Sequence, residues 1–209
     1  MAGILDAKVE KYLDRLLPER DAILAEMEEY AAKHKVPIIG PACGRLLALA
    51  TQLAGAKRIF EMGSAIGYST LWFARAAGPG AEVYYTDSDP ANGKRAREYF
   101  ERAGVADRIR QLTGDAIESF EKTPGDFDVI LIDINKPQYP KALEKAVPRL
   151  KSGGVLITDN VLWSGKVARP GKDKETRAIQ KFNESMYALK ELFPVIVPLR
   201  DGVAICRKA

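Results

Sequence analysis

Histidine and cysteine are scarce in this 209-residue chain, which has one His and two Cys. His34 stands alone between Lys33 and Lys35, so a Ser-His-Asp hydrolase or a histidine-rich zinc site has nothing to be built from. Cys43 and Cys206 lack metal-ligand spacing, and so few thiols suit a reduced, cytoplasmic protein better than a disulfide scaffold. No apolar run follows a basic leader, and no stretch approaches the ~20 apolar residues of a membrane span. Neither a signal peptide nor a membrane partner is therefore expected. A strong charge of one sign is also missing: 32 Lys and Arg face 28 Asp and Glu, for a net charge of +4. The densest basic clusters, Lys94-Arg95-Ala96-Arg97 and Lys172-Asp173-Lys174, adjoin acids and read as solvated surface, so no nucleic-acid partner is expected. There is no internal repeat and no low-complexity tract. The length and the 46% hydrophobic content fit one domain, with helices over 1–54 ahead of a core over 55–209.

What the chain does have is punctuation. Residues 4–34 carry apolar positions at helical spacing, interrupted at Pro18, which is expected to begin a second helix. Val36 to Gly40, with Pro41 following, reads as loop, and 44–53 as a helix ending at Gly55. Strand and helix then alternate. Strands are expected over 58–61, 82–86, 109–113, 128–132 and 155–158. Helices are expected over 68–77, 90–103, 116–122, 139–150 and 174–189. Gly78-Pro79-Gly80, Gly104 and Gly153-Gly154 serve as stops, and 160–173 is a long loop. At the end, two apolar runs flank Arg200-Asp201-Gly202 as a hairpin. Five βα units and a terminal hairpin predict an α/β fold. It would be a Rossmann-like, doubly wound, seven-stranded sheet, mostly parallel, with a C-terminal antiparallel hairpin and an N-terminal helical appendage.

Open parallel sheets bind ligands beyond the carboxyl ends of their strands. Here the ends read Glu61, Asp87, Gly114-Asp115-Ala116, Asp133 and Asp159-Asn160, so every parallel strand delivers an acid to the same edge. The first strand leads into Glu61-Met62-Gly63-Ser64-Ala65-Ile66-Gly67. This is not the G-x-G-x-x-G of dinucleotide sites, and an acid before the first glycine is a poor neighbour for a pyrophosphate. Acid-x-Gly-x-x-x-Gly suits a ligand with a cationic amino-acid tail and a ribose, a description that fits S-adenosylmethionine. Asp87, about twenty residues past the turn, is placed for ribose hydroxyls. Asp89 more naturally caps the helix at Pro90. Asp115 and Ala116 are placed for the adenine, with Asp115 toward its amino group.

Asp133, Asp159 and Asn160 form a second constellation of two carboxylates and an amide, with no thiol or imidazole. Such oxygens suit a hard cation, Mg²⁺, Mn²⁺ or Ca²⁺, with positions left open for two adjacent substrate oxygens. Lys136, close after Asp133, is a candidate base for a hydroxyl that such a cation acidifies.

Four segments together resemble the cation-dependent class I O-methyltransferases of the caffeoyl-CoA and catechol O-methyltransferase type. They are Glu61 to Ser69, Gly114-Asp115-Ala116, Asp133-Ile134-Asn135-Lys136, and Asp159-Asn160-Val161-Leu162-Trp163-Ser164-Gly165. Asp201-Gly202 also fits, and the likeness runs from about Tyr30 to the C-terminus. The resemblance implies cofactor contacts at Glu61, Gly63, Ser64, Ser69, Asp87 and Ala116. It implies metal ligands at Asp133, Asp159 and Asn160, catalysis by Lys136 as base with Asp133, and commonly a homodimer. The chain departs from the family pattern at Arg45, Asn135 and Arg200; the first and last bear on the acceptor pocket, and none is expected to touch the metal set. The expected activity is metal-dependent methyl transfer from S-adenosylmethionine to a hydroxyl of a small vicinal aromatic diol, with Trp163 beside the ring or simply packed. Two alternatives stay open: a metal-independent methyltransferase on another small acceptor, and a non-catalytic S-adenosylmethionine-binding module.

Overall fold

The computed structural model describes residues 4–209; residues 1–3, the start of the helical segment expected over 1–54, lie outside it. Helices α1 (Ala7–Leu16), α2 (Ala22–His34) and α3 (Gly40–Leu53) precede the first strand. Pro18 does not open α2, contrary to expectation. Asp21 does, because its carboxylate accepts from the amides of Ile23 and Leu24 and so satisfies two free donors of the first turn. The helix α3 begins four residues earlier than its periodicity suggested, since Pro41 sits in its first turn, where no amide hydrogen is needed.

From there the elements alternate as β1 (Arg58–Met62), α4 (Tyr68–Ala77), β2 (Glu82–Asp87), α5 (Pro90–Arg102), β3 (Ile109–Thr113), α6 (Ala116–Lys122), β4 (Phe127–Ile132), α7 (Tyr139–Ala146) and β5 (Leu150–Thr158). The helix α8 (Lys174–Ala188) and the strands β6 (Leu192–Val197) and β7 (Val203–Lys208) complete the chain. One boundary differs in kind. The helix expected to reach Leu150 stops at Ala146, a 3-10 turn containing Pro148 follows, and β5 already starts at Leu150. Gly153-Gly154, read as a stop, lies inside β5 where its pairing with β4 slips between Phe127 and Val129. The loop after β5 is also partly ordered, with a kinked 3-10 segment over Trp163–Ala168.

The sheet order is β3-β2-β1-β4-β5-β7-β6, parallel through β5 and antiparallel in the two pairs involving β7. Alternating side chains feed two cores. Ile59, Val83, Val129 and Ile157 meet Leu47, Leu71 and Phe100 of α3, α4 and α5 on one face. Phe60, Ile130 and Leu156 meet Phe120, Leu143 and Phe182 of α6, α7 and α8 on the other. Each such fully buried side chain stabilises the fold by ~1.5–3 kcal/mol. The strand order reverses between β1 and β4, and that crevice is where an open sheet accepts a ligand.

Candidate active site

At the carboxyl end of β1 the chain turns sharply through Gly63 (φ 86°), Ala65 (φ 45°) and Gly67 (φ 84°) into α4. Two glycines are required there by space as well as by φ: a Cβ on Gly63 would collide with the carbonyl of Asp133, and one on Gly67 with the ring of Phe100. The turn is tied to β2. Ser64 N donates to Thr86 O (2.8 Å), Gly63 N to Thr86 Oγ1 (3.1 Å) and Ala65 N to Asp87 Oδ2 (3.0 Å). No side chain caps α4, so its first-turn amides are left for a ligand.

One cavity of 830 Å³ runs over this edge of the sheet. Gly63, Ser64, Ser69, Asp87, Asp115, Ala116, Asp133, Lys136, Asp159 and Asn160 all line it, which brings together both constellations read from the sequence. Glu61 is the exception: it is fully buried beneath the turn rather than in the wall. Its Oε2 accepts from Thr70 Oγ1, while Oε1 is buried with no partner. Burial pushes its carboxyl up to about 7, against the pull of Ser69, Thr70 and Ser64. An unsatisfied buried acceptor next to the free amides of α4 fits the cationic and anionic ends of an amino-acid tail. A Cβ on Gly114 would meet nothing within 4 Å, so that wall is open for a flat group.

The acids of β2 and β3 have work within the fold as well. Asp87 Oδ1 accepts from Asp89 N (2.8 Å) and Asn92 Nδ2 (3.1 Å). Asp115 caps α6 through Ile117 N and Glu118 N, both at 2.9 Å, which leaves Oδ2 for Gln138 at 3.4 Å. Asp89 caps α5 through Ala91 N, as expected.

Asp133 and Asp159 end the adjacent strands β4 and β5. Asp159 is buried, and that burial together with the Asp133 charge raises its carboxyl to about 6. Asn160, also buried, holds φ 59°. The donor set of two carboxylates and an amide oxygen fits a hard divalent cation. Among the described residues no group of three or more His, Cys, Asp or Glu is placed to hold a metal, so any such site depends on the Asn160 amide. Lys136 Nζ donates to Asp133 Oδ1 (3.0 Å), Ile134 O (3.3 Å) and Tyr139 Oη (2.8 Å). Tyr139, fully buried, in turn donates to Asp159 O (3.0 Å).

Two participants were not assigned from the sequence. Tyr139 was read only as a helix start; its spacing of three from Lys136 was the available signal. Arg200 was read as a departure that leaves the metal set alone, yet its Nη1 lies 3.3 Å from Asp159 Oδ2. The turn before β7 is strapped to the loop after β5, through Val161 N to Gly202 O (3.0 Å) and Leu162 N to Asp201 O (2.9 Å), and this carries Arg200 over Asp159. Arg45 is exposed, and Asn135, also exposed, lines the cavity. Trp163 is packed, as one of its two expectations had it, and also reaches the cavity. It lines the cavity and packs on the second core, with its indole Nε1 buried and unpartnered.

Residues 17–209 match a family described as O-methyltransferase. A catechol O-methyltransferase of Niastella koreensis is 35% identical over 209 residues, covering 94% of this chain and 95% of that one. Among solved structures, an O-methyltransferase from Bacillus cereus in complex with S-adenosylhomocysteine (SAH) superposes with a TM-score of 0.87 at 29% identity, covering 97% of both chains. TomG of Streptomyces achromogenes, an O-methyltransferase of tomaymycin synthesis solved in complex with S-adenosylmethionine, gives 0.88 at 25% identity, covering 97% of this chain and 96% of that one.

Proposed function

The chain belongs to the O-methyltransferase family, and on that premise we propose that it transfers the methyl group of S-adenosylmethionine to one hydroxyl of a small catechol-like aromatic acceptor. We further propose a divalent cation, Mg²⁺ first and otherwise Mn²⁺ or Ca²⁺, held by Asp133, Asp159 and Asn160. The observation that carries this reading is the shared cavity: the glycine turn and the set Asp133, Lys136, Asp159 and Asn160 line one space and touch where Gly63 packs on the Asp133 carbonyl. The catechol acceptor follows the activity named for the Niastella relative.

S-adenosylmethionine supplies a methyl on a sulfonium that departs as a neutral thioether. A divalent cation, when bound, acidifies a hydroxyl and fixes two adjacent oxygens. The chain's residues divide the remaining tasks. Ser64, Ser69 and the α4 amides receive the amino-acid tail, and Glu61 answers its positive end from beneath the turn. Asp87 keeps acceptor capacity for ribose hydroxyls, and Asp115 and Ala116 flank the adenine. Lys136 Nζ donates to Asp133 Oδ1, Ile134 O and Tyr139 Oη, and it serves as base for the hydroxyl proton only in its neutral form, after releasing one of its own protons; Trp163 borders the ring. Positioning supplies much of the rate in a displacement of this geometry.

The exposed apolar positions Val9, Tyr12 and Leu16 on α1, and Leu49 and Leu53 on α3, favour a homodimer. The two buried free thiols suit a reducing, cytoplasmic setting. Metal-independent transfer to another small acceptor is the second reading, favoured by the cations of the chain itself on both carboxylates. Methyl transfer to a panel of catechols, read by mass with Mg²⁺ and with a chelator, decides between them. A singly methylated product that vanishes with the chelator is expected; one that persists would support the second reading.

A further inference from the structure

The corner formed by Asp133 and Asp159 holds two negative charges, and the chain places one of its own cations against each. Lys136 Nζ is 3.0 Å from Asp133 Oδ1, and Arg200 Nη1 is 3.3 Å from Asp159 Oδ2. Lys136 is a near neighbour of its partner, whereas Arg200 arrives from 41 residues away. Two other parts of the molecule hold it there. Arg200 O accepts from Ile4 N at 3.0 Å, Nη1 also donates to Ile39 O, and the backbone at Arg200 keeps φ 51°. That φ disfavours a long side chain and suits glycine, so the arginine is kept against a local preference. Among the described residues Arg200 alone lines both the 830 Å³ cavity and a second one of 330 Å³ walled by α1, and its side chain is 32% exposed. It therefore has somewhere to go.

We propose that Arg200 is an internal counter-ion of Asp159 that competes with a divalent cation for that carboxylate and sets the cation affinity of the site. The inference rests on Asp133, Asp159 and Asn160 being the ligand set. With both internal cations in place a divalent ion meets a corner whose two negative charges are already balanced, and it must displace Arg200 from Asp159 to use that oxygen. With a small residue at position 200 the same corner keeps one uncompensated negative charge. Arg200 thus acts as a positioning residue that tunes how much free cation the enzyme needs.

Mn²⁺ binding to the full chain, followed by the loss of the free-ion electron paramagnetic resonance signal, tests this without any turnover. Arg200→Gly should bind Mn²⁺ about tenfold tighter or more than the unaltered chain, the scale on which groups contacting metal ligands act. Without Mn²⁺, Arg200→Gln, which leaves the backbone preference unrelieved, should melt lower because Asp159 stays buried without its charged partner, and added Mn²⁺ should raise its Tm by more than it raises that of the unaltered chain. Should the glycine variant fail to fold, Arg200→Gln, which keeps length and a donor while removing only the charge, gives the same comparison. Equal or weaker Mn²⁺ affinity in the variants would overturn the role of Arg200 and leave the ligand set standing. Absence of Mn²⁺ binding in every form, including Asp159→Asn as the control, would overturn the ligand set itself and the inference with it.

Discussion

The two halves of the sheet edge use the same residue type in opposite ways. Beyond β2 and β3 the acids are satisfied chiefly by backbone amides close in sequence: Asp87 by Asp89 N, Asp89 by Ala91 N, Asp115 by Ile117 N and Glu118 N. Beyond β4 and β5 each also meets a charged side chain, Lys136 on Asp133 and Arg200 on Asp159, the latter acid accepting from Asn160 N as well (2.9 Å). Backbone dipoles fix a carboxylate in place and leave it lone pairs for a neutral polar ligand. A cationic partner sets up a balance of charge that an incoming ion has to rearrange. On the proposed function the first half serves as a receptor and the second as an electrostatic device. Positive φ occurs in both, mostly on glycine in the first half (Gly63, Gly67, Gly114, with Ala65) and on Asn160, Trp163, Ser164 and Arg200 in the second.

If the halves are separable, changes in each should fail differently. The largest effect is expected from Asp159→Ala, which should slow catechol methylation by about 10³-fold or more while calorimetric SAH affinity stays nearly unchanged. Gly63→Ala should do the reverse: the new Cβ meets the Asp133 carbonyl and the φ of 86° disfavours it, so SAH binding and folding stability should fall together. Equal loss of SAH binding in both variants would dissolve the division.

An intermediate effect is expected at Glu61, on the first half. Burial raises its folded-state carboxyl to about 7 from an ordinary 4.5. Between those values the folded chain keeps a proton that the unfolded chain has released, so stability is fullest below 4.5 and declines as pH rises through 7. The decline is worth at most roughly 3 kcal/mol. Urea melts of Glu61→Gln should show a flatter dependence across this window than the unaltered chain; an identical slope would mean that Glu61 is not the group responsible. The smallest effect belongs to Tyr139→Phe on the second half. It removes one acceptor from Lys136 and one donor from the Asp159 carbonyl, a change of about 1 kcal/mol that should lower kcat about fivefold with SAH affinity intact. A variant that lost SAH affinity instead would place Tyr139 with the receptor half.

The same contrast explains what could be read in advance. The turn of the first half was legible because its determinants are local: Gly63, Gly67 and the Asp89 cap act within a few residues of where they stand. The order of strands and helices was legible for that reason as well, from Gly78-Pro79-Gly80, Gly104 and the Arg200-Asp201-Gly202 turn. What was missed depends on distant partners. Leu150 joins a strand because Phe127 lies beside it across a slipped register, which overrides Gly153 as a stop. Arg200 reaches Asp159 only because the loop after β5 is strapped to the turn before β7. Glu61 reads as a wall residue from its motif, and only the packing of α4 over it shows that it lies underneath.

The helix α1 contributes Leu5's neighbours Glu10, Leu13 and Asp14 to the wall of the 330 Å³ cavity, yet buries none of its own residues. A helix that buries none of its own side chains contributes little to the cooperative stability of the sheet. Sequence change in this short segment should therefore reshape the chamber at little cost to the stability of the sheet beneath.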